Sequence, residues 1–218
     1  MERLIEETGI YGPGFLHAAW TVLWLTFATI LVSWIAGLAA ALGHASANRT
    51  LRAMAGFYIW FVRGTPTLIQ IFIIYFGLPQ VGIRLSPFAA GVLALGINSG
   101  AYVAEIIRSG LSAIPRGQTE SALALGFSPA DTMRGIILPQ VFRIILPSLT
   151  NEAIATLKNT SLLSTITVVE LTLYAQTLIA ATFRPFDFYI AVALIYLVLT
   201  TILTQLAAFL ERRYAVQR

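Results

Sequence analysis

The sequence predicts an all-α, polytopic membrane protein with about five transmembrane helices and a cytoplasmic helix-turn-helix set among them. Three observations carry this prediction. Hydrophobic residues make up 57% of the 218 and charged residues 11%, which leaves too little polar surface for a soluble globule. Stretches 20–43, 86–104 and 188–210 contain no Asp, Glu, Lys or Arg, and each is close to the roughly 20 residues that cross the hydrocarbon. The segment "ESALALGFSPADTMRGIILPQ" (Glu120–Gln140) interrupts this apolar pattern with a Gly-Phe-Ser-Pro break.

The elements follow in chain order. The acidic start "MERLIEETGI" precedes an apolar run far longer than a signal-peptide core, so 20–43 reads as a retained first span and no cleaved signal is expected. The second run, 53–83, has the length of a span but contains Arg63-Gly64-Thr65-Pro66. Proline frees a backbone carbonyl there, which is tolerated at membrane depth only against protein or water, so a broken or bent span is expected. The third span, 86–104, has Asn98, Tyr102 and Glu105 at i, i+4 and i+7. The fourth run, 144–170, repeats that spacing with Glu152, Thr156 and Asn159 and also carries Lys158. Charges in spans point into a bundle or an aqueous cavity. Glu152 and Lys158 are six apart, roughly 120° on a 3.6-residue helix, so they are not a simple i, i+4 pair.

Between the third and fourth spans, at about 112–142, lies the break. A helix through Glu120–Leu125 stops at Gly126, which takes the left-handed conformation without a Cβ penalty. Ser128 as N-cap, Pro129 in the first turn and Asp131 as capping partner start a second helix. That helix sets Met133, Ile136 and Ile137 on one face, and Pro139 is expected to end it. It would lie on lipid headgroups or in a protein groove. A single Arg134 beside Glu120 and Asp131 is few cations for the former and favours the groove.

Charge placement sets the orientation. With the N-terminus outside and five spans alternating, the cytoplasmic segments hold Arg49, Arg52, Arg108, Arg116, Arg134, Arg143, Arg212, Arg213 and Arg218, and the outside only Arg3, Arg84 and Arg184. Met1 is therefore expected outside and Arg218 inside. The net charge of +4 follows from this bias, not from a nucleic-acid partner. Zero Cys and two His, His17 and His44, offer no thiolate or histidine metal site.

Glu120, Ala122, Gly126, Ile136, Leu138 and Pro139 match in spacing the EAA loop in membrane subunits of bacterial ABC importers; Ser121 departs, where the family more often has Ala. "FVRGTPTLIQIFIIYFGLP", "AYVAEIIRSG", "PRGQTESALALG" and "LKNTSLLSTITVVEL" resemble the polar-amino-acid permeases, the group of histidine, arginine, glutamine and opine importers, over nearly the whole chain from the first span. Asn159 stands where many members have Asp. The resemblance implies a type I ABC importer permease, a single domain over 1–218 in the bacterial inner membrane. It implies that Glu120, Ala122, Gly126, Ser128, Ile136, Leu138 and Pro139 dock a separate ABC ATPase. It also implies a second permease, identical or homologous, and a periplasmic or tethered substrate-binding protein.

No GxxxxGK[ST] phosphate loop occurs, so ATP and Mg are expected on the partner ATPase, with no cofactor on this chain and no catalysis by it alone. The residues expected to contact substrate are Arg63, Thr65, Gln70, Asn98, Tyr102, Glu105, Glu152, Thr156 and Asn159. Each has a plain alternative, interhelical hydrogen bonding for the polar groups and a structural kink for Arg63. Glu152 suits a cationic amino acid or opine. The rival class is an ion-driven secondary transporter, although an odd span count without evident inverted repeats fits it poorly. A membrane enzyme lacks a clustered Ser/His or carboxylate/His set.

Overall fold

The computed structural model describes the backbone of residues 2–214 and the side chains of residues 9–213. Met1 and Arg218, the ends that mark the expected orientation, lie outside the described residues, as does the Arg3 side chain. Among the described residues there are helices and turns and no strand.

Helix α1 (Glu2–Ala45) begins well before the apolar run that marks it in sequence. It runs through the Gly12-Pro13-Gly14 cluster, with Pro13 accommodated inside the helix just ahead of Phe15, Ala18 and Val22, which pack into a shared core. Asn48 then caps α2 (Arg49–Gly64), its Oδ1 accepting from Thr50 N at 2.9 Å and Leu51 N at 3.4 Å. The expected break follows at Thr65-Pro66. Helix α3 (Thr67–Phe72), a π turn (Ile73–Gly77) and a 3-10 turn (Leu78–Val81) leave at 113° to α2. Ser86 caps α4 (Pro87–Ser112), which has Pro87 in the first turn where a missing N–H costs nothing.

Among the described residues, three helical stretches are long and apolar enough to cross a membrane: Gly9–Ala45, Pro87–Ser112 and Pro185–Arg213. The count reaches five when each of two bent pairs is one span: Arg49–Gly64 with Thr67–Val81, and Pro129–Ile166 with Leu171–Thr182. The second pair turns by 47°. Its parts are the one-turn α6 (Pro129–Asp131), a π turn (Thr132–Ile137), α7 (Leu138–Asn159), a 3-10 turn (Thr160–Ile166) and α8 (Leu171–Thr182). Helix α9 (Pro185–Tyr214) closes the chain.

Helices α1 and α4 form the most extensive pair. Small residues let their backbones approach: a Cβ on Gly96 would meet Val32, and one on Gly100 would meet Ala36 Cβ and Tyr58 Oη at 2.8 Å. One core joins α1, α7, α8 and α9 through Val22, Leu157, Leu171 and Phe188. A second joins α1, α3, α4 and the 3-10 turn through Leu25, Ile71, Leu95 and Leu163. At the second break the buried Glu170 caps α8, accepting from Thr172 N, Leu173 N and the Tyr196 hydroxyl at 2.9, 2.9 and 3.0 Å. The carboxylate thus supplies bonds that the bent backbone cannot make for itself.

Candidate functional site

The loop between α4 and α7 starts with α5 (Arg116–Ala124). Gly126 ends it at φ +87°, with Phe127 N bonded to Ala122 O at 3.1 Å and Gly126 N to Leu123 O at 3.0 Å. This double closure is the Schellman arrangement the glycine permits. Ser128 starts the next turn: its Oγ accepts from Asp131 N at 3.1 Å and donates to Asp131 Oδ2 at 2.6 Å. Both capping expectations hold.

The end of the second helix differs from expectation. Pro139 does not stop it, and the chain runs on through the π turn into α7. The wider turn bonds Leu138 N to Met133 O, one residue further back than an α-helix would, and so brings in Pro139 without the usual crowding of its ring. The π turn also rotates the apolar face. Ile137 is buried and Ile136 packs beside it, whereas Met133 is 43% exposed. Of the residues expected to dock, Glu120, Gly126, Ser128, Leu138 and Pro139 are exposed, Ala122 is buried and Ile136 is half-buried. Leu123, Leu125 and Phe127, which sequence reasoning did not single out, join Met133 in an exposed apolar surface on the loop.

The transmembrane candidates fall into two groups. Gln70 is buried at the α2–α3 break, where its Nε2 donates to Val62 O at 2.7 Å, Thr65 O at 3.1 Å and Thr65 Oγ1 at 2.7 Å. Its Oε1 accepts from Asn98 Nδ2 at 3.0 Å. Thr65, Gln70 and Asn98 therefore form one chain that satisfies the carbonyls released by the break.

The second group surrounds a cavity of about 340 Å³, lined by Arg63, Tyr102, Glu105, Arg108, Ser148 and Glu152 among others. Glu105 accepts from Arg108 Nε at 2.8 Å and Nη2 at 3.0 Å and lies 3.3 Å from Arg63 Nη1. The Arg63 guanidinium also lies 5.5 Å from the Tyr102 ring centroid, within cation–π range. Glu152 enters from α7 and faces the Ser99 hydroxyl. Among the described residues no cation lies within ion-pair distance of Glu152. Thr156 is buried against Ser99 at 3.4 Å, and Asn159 is half-buried outside the cavity lining. Arg108 and Ser148 were missed in sequence; Arg108, three residues after Glu105, carried a readable i, i+3 signal. Two guanidiniums and two carboxylates in one cleft can hold a zwitterion and one further charge.

Residues 30–216 match the family described as binding-protein-dependent transport system inner membrane component. The chain is 38% identical over 206 residues to a glutamine transport system permease protein of Escherichia coli, covering 94% of each chain. It is 37% identical over 209 residues to a nopaline transport system permease protein of Agrobacterium fabrum, covering 91% of this chain and 87% of that one. Among solved structures, a crystal structure of an amino acid ABC transporter with histidines superposes with a TM-score of 0.90 at 42% identity, over 95% of this chain and 97% of that chain.

Proposed function

Because the chain belongs to the family of inner membrane components of binding-protein-dependent transport systems, we propose that it is the permease subunit of an ATP-driven importer of a polar amino acid or opine. The observation that carries this reading is the pairing of the exposed, doubly capped loop around Gly126 with a charged cavity between α2, α4 and α7. The loop is suited to a groove on a separate ATPase, with Leu125 and Phe127 supplying apolar contact and Glu120 polar contact. Hydrolysis belongs to that partner, and a binding protein delivers substrate on the opposite side. Two permeases, identical or related, complete the path. The N-terminus lies outside and the C-terminus inside.

Within the cavity, Arg63 is the group for an α-carboxylate, and Glu152, with no cation of its own, is the group for a positively charged side chain. Thr65, Gln70 and Asn98 hold the bend that presents Arg63, while Tyr102 stacks on it. Thr156 and Asn159 extend the face of Glu152 along α7.

The test is uptake into proteoliposomes containing the permease, its ATPase and its binding protein, after a thermal-shift screen of the binding protein against all amino acids and common opines. A polar, preferably cationic, ligand from the screen should accumulate only with ATP inside. Accumulation driven by an ion gradient without ATP would favour a secondary transporter instead.

A further inference from the structure

We infer that the groove between the first turns of α9 and the adjoining part of α1 binds one phospholipid whose headgroup carries both a phosphate and a primary ammonium. An acyl chain lies between the helices, and Arg184 and Asp187 hold the headgroup. The site needs both helices to cross the bilayer and is independent of what the chain transports.

The groove encloses about 650 Å³. Its walls are Phe15, Leu16 and Ala19 on α1 and Phe188, Ala191 and Ile195 on α9, and among the described residues its charged lining groups are Arg184 and Asp187. The Phe188 ring meets Tyr11 edge-on at 5.4 Å and stacks on Phe15 at 6.4 Å between centroids. Phe15 and Phe188 both belong to the buried core, which keeps the walls in place.

The charges set the depth. Residues 188–210 of α9 contain no Asp, Glu, Lys or Arg, and at 1.5 Å per residue they make about 35 Å of helix, close to the roughly 30 Å of hydrocarbon. Arg184 and Asp187 therefore stand at the headgroup boundary. Tyr11, which contacts Phe188, and the exposed Tyr189 mark the same level, as tyrosines do at membrane interfaces. Ile195 is eight residues beyond Asp187, about 12 Å deeper. The groove thus runs through most of one leaflet, whose hydrocarbon is about 15 Å thick, and ends before the midplane.

That extent selects the occupant. A helix of a neighbouring protein would need a seam through both leaflets, whereas a lipid occupies one. Deeper along the same helices the exposed residues are bulky and apolar, with Leu31, Trp34 and Ile35 on α1 and Leu197, Val198 and Ile202 on α9. Those residues suit bulk acyl chains. The mouth selects the headgroup. Arg184 Nε donates to Asp187 Oδ2 at 2.7 Å, and Nη2 lies 2.6 Å from the same oxygen. This pair adds no net charge, so it complements a headgroup with one charge of each sign. The guanidinium fork suits a phosphate. The carboxylate accepts from an ammonium N–H, which a quaternary choline lacks. A second apolar recess, of about 270 Å³ between Trp20, Leu23, Trp24 and Phe27, has no charged lining group and offers a comparison within the same chain.

The test is photolabelling of the transport complex that contains the full chain, reconstituted in phosphatidylcholine vesicles. Phosphatidylethanolamine, phosphatidylcholine and phosphatidylglycerol probes carry the same photoreactive acyl chain, and labelled residues are quantified. In the groove, at residues 11–19 and 184–195, the ethanolamine probe is expected to label roughly tenfold more than the other two, the worth of one hydrogen bond to a charged group. At Trp24 and Phe27 the three probes should label equally. Asp187→Asn should bring the ethanolamine probe down to the choline level, and Ile190→Trp, at an exposed wall position, should lower all three probes in the groove. Ile202→Trp, outside the groove, should change nothing. Equal labelling of the wild-type groove by the three probes, a preference for the glycerol probe, or a cross-link from the groove to another polypeptide would overturn the assignment, and each is read on the wild-type chain without depending on a variant's folding. Absence of transport with the labelling pattern intact would count against the importer reading and leave the lipid site standing.

Discussion

Glu105 and Glu152 line one cavity but differ in what neutralises them. Glu105 has Arg63 and Arg108 within ion-pair distance, whereas Glu152 has a hydroxyl, Ser99. A charge pair formed away from water discriminates more sharply than an exposed one. Replacing Glu152 by Gln should therefore lower uptake of a cationic substrate about tenfold more than uptake of a neutral one, roughly 1.4 kcal/mol of selectivity. Equal losses for both substrates would make Glu152 a packing residue. Gln70 is a different case, because its amide serves Val62 O, Thr65 and Asn98 at once. Gln70→Leu leaves those buried groups without partners and should cost about 2 kcal/mol or more of stability, read as a lower melting temperature in detergent. An unchanged melting temperature would mean that water or lipid headgroups reach the break.

Each element was legible to the degree that its signal was local. The charge-free runs gave α1, α4 and α9, Arg63-Gly64-Thr65-Pro66 gave the bend, and Gly126 with Ser128 gave both caps of the loop. The start of α1 was hidden because its glycines and Pro13 lower helix propensity, and packing of Phe15 and Ala18 overrides that. Pro139 misled because a π turn ahead of it is a backbone adjustment with no residue signature. The cavity was half legible: periodicity grouped Tyr102 with Glu105, but also placed Asn98 with them, and only the fold shows Asn98 turned to Gln70. The tight α1–α4 contact yields its own prediction. A Cβ on Gly100 lies 2.8 Å from both Ala36 Cβ and Tyr58 Oη, so Gly100→Val should destabilise the bundle by about 1–3 kcal/mol. Thermal melting of the purified variant measures it, and a wild-type melting curve would show that α1 and α4 are further apart than described.

At the scale of the whole molecule, orientation and coupling are one problem, since the proposed docking of an ATPase on the loop around Gly126 requires that loop to face the compartment that holds ATP. Nine arginines against three favour the cytoplasm. Cysteine tags at the two ends, probed with an impermeant thiol reagent in intact cells, should label the N-terminal tag alone. Labelling of the C-terminal tag alone would reverse the orientation, and labelling of both would contradict an odd number of spans. Coupling itself is tested at Gly126. A Cβ there meets nothing within 4 Å, so Gly126→Arg spares the spans, yet it costs about 1 kcal/mol at φ +87° and sets a long cation on the loop's exposed surface. The decisive measurement is ATP hydrolysis by the reconstituted complex, with and without liganded binding protein, for wild type and Gly126→Arg at matched membrane levels. Wild type should be stimulated, and the variant should retain little ATPase subunit and show no stimulation; full stimulation of the variant would contradict docking through this loop.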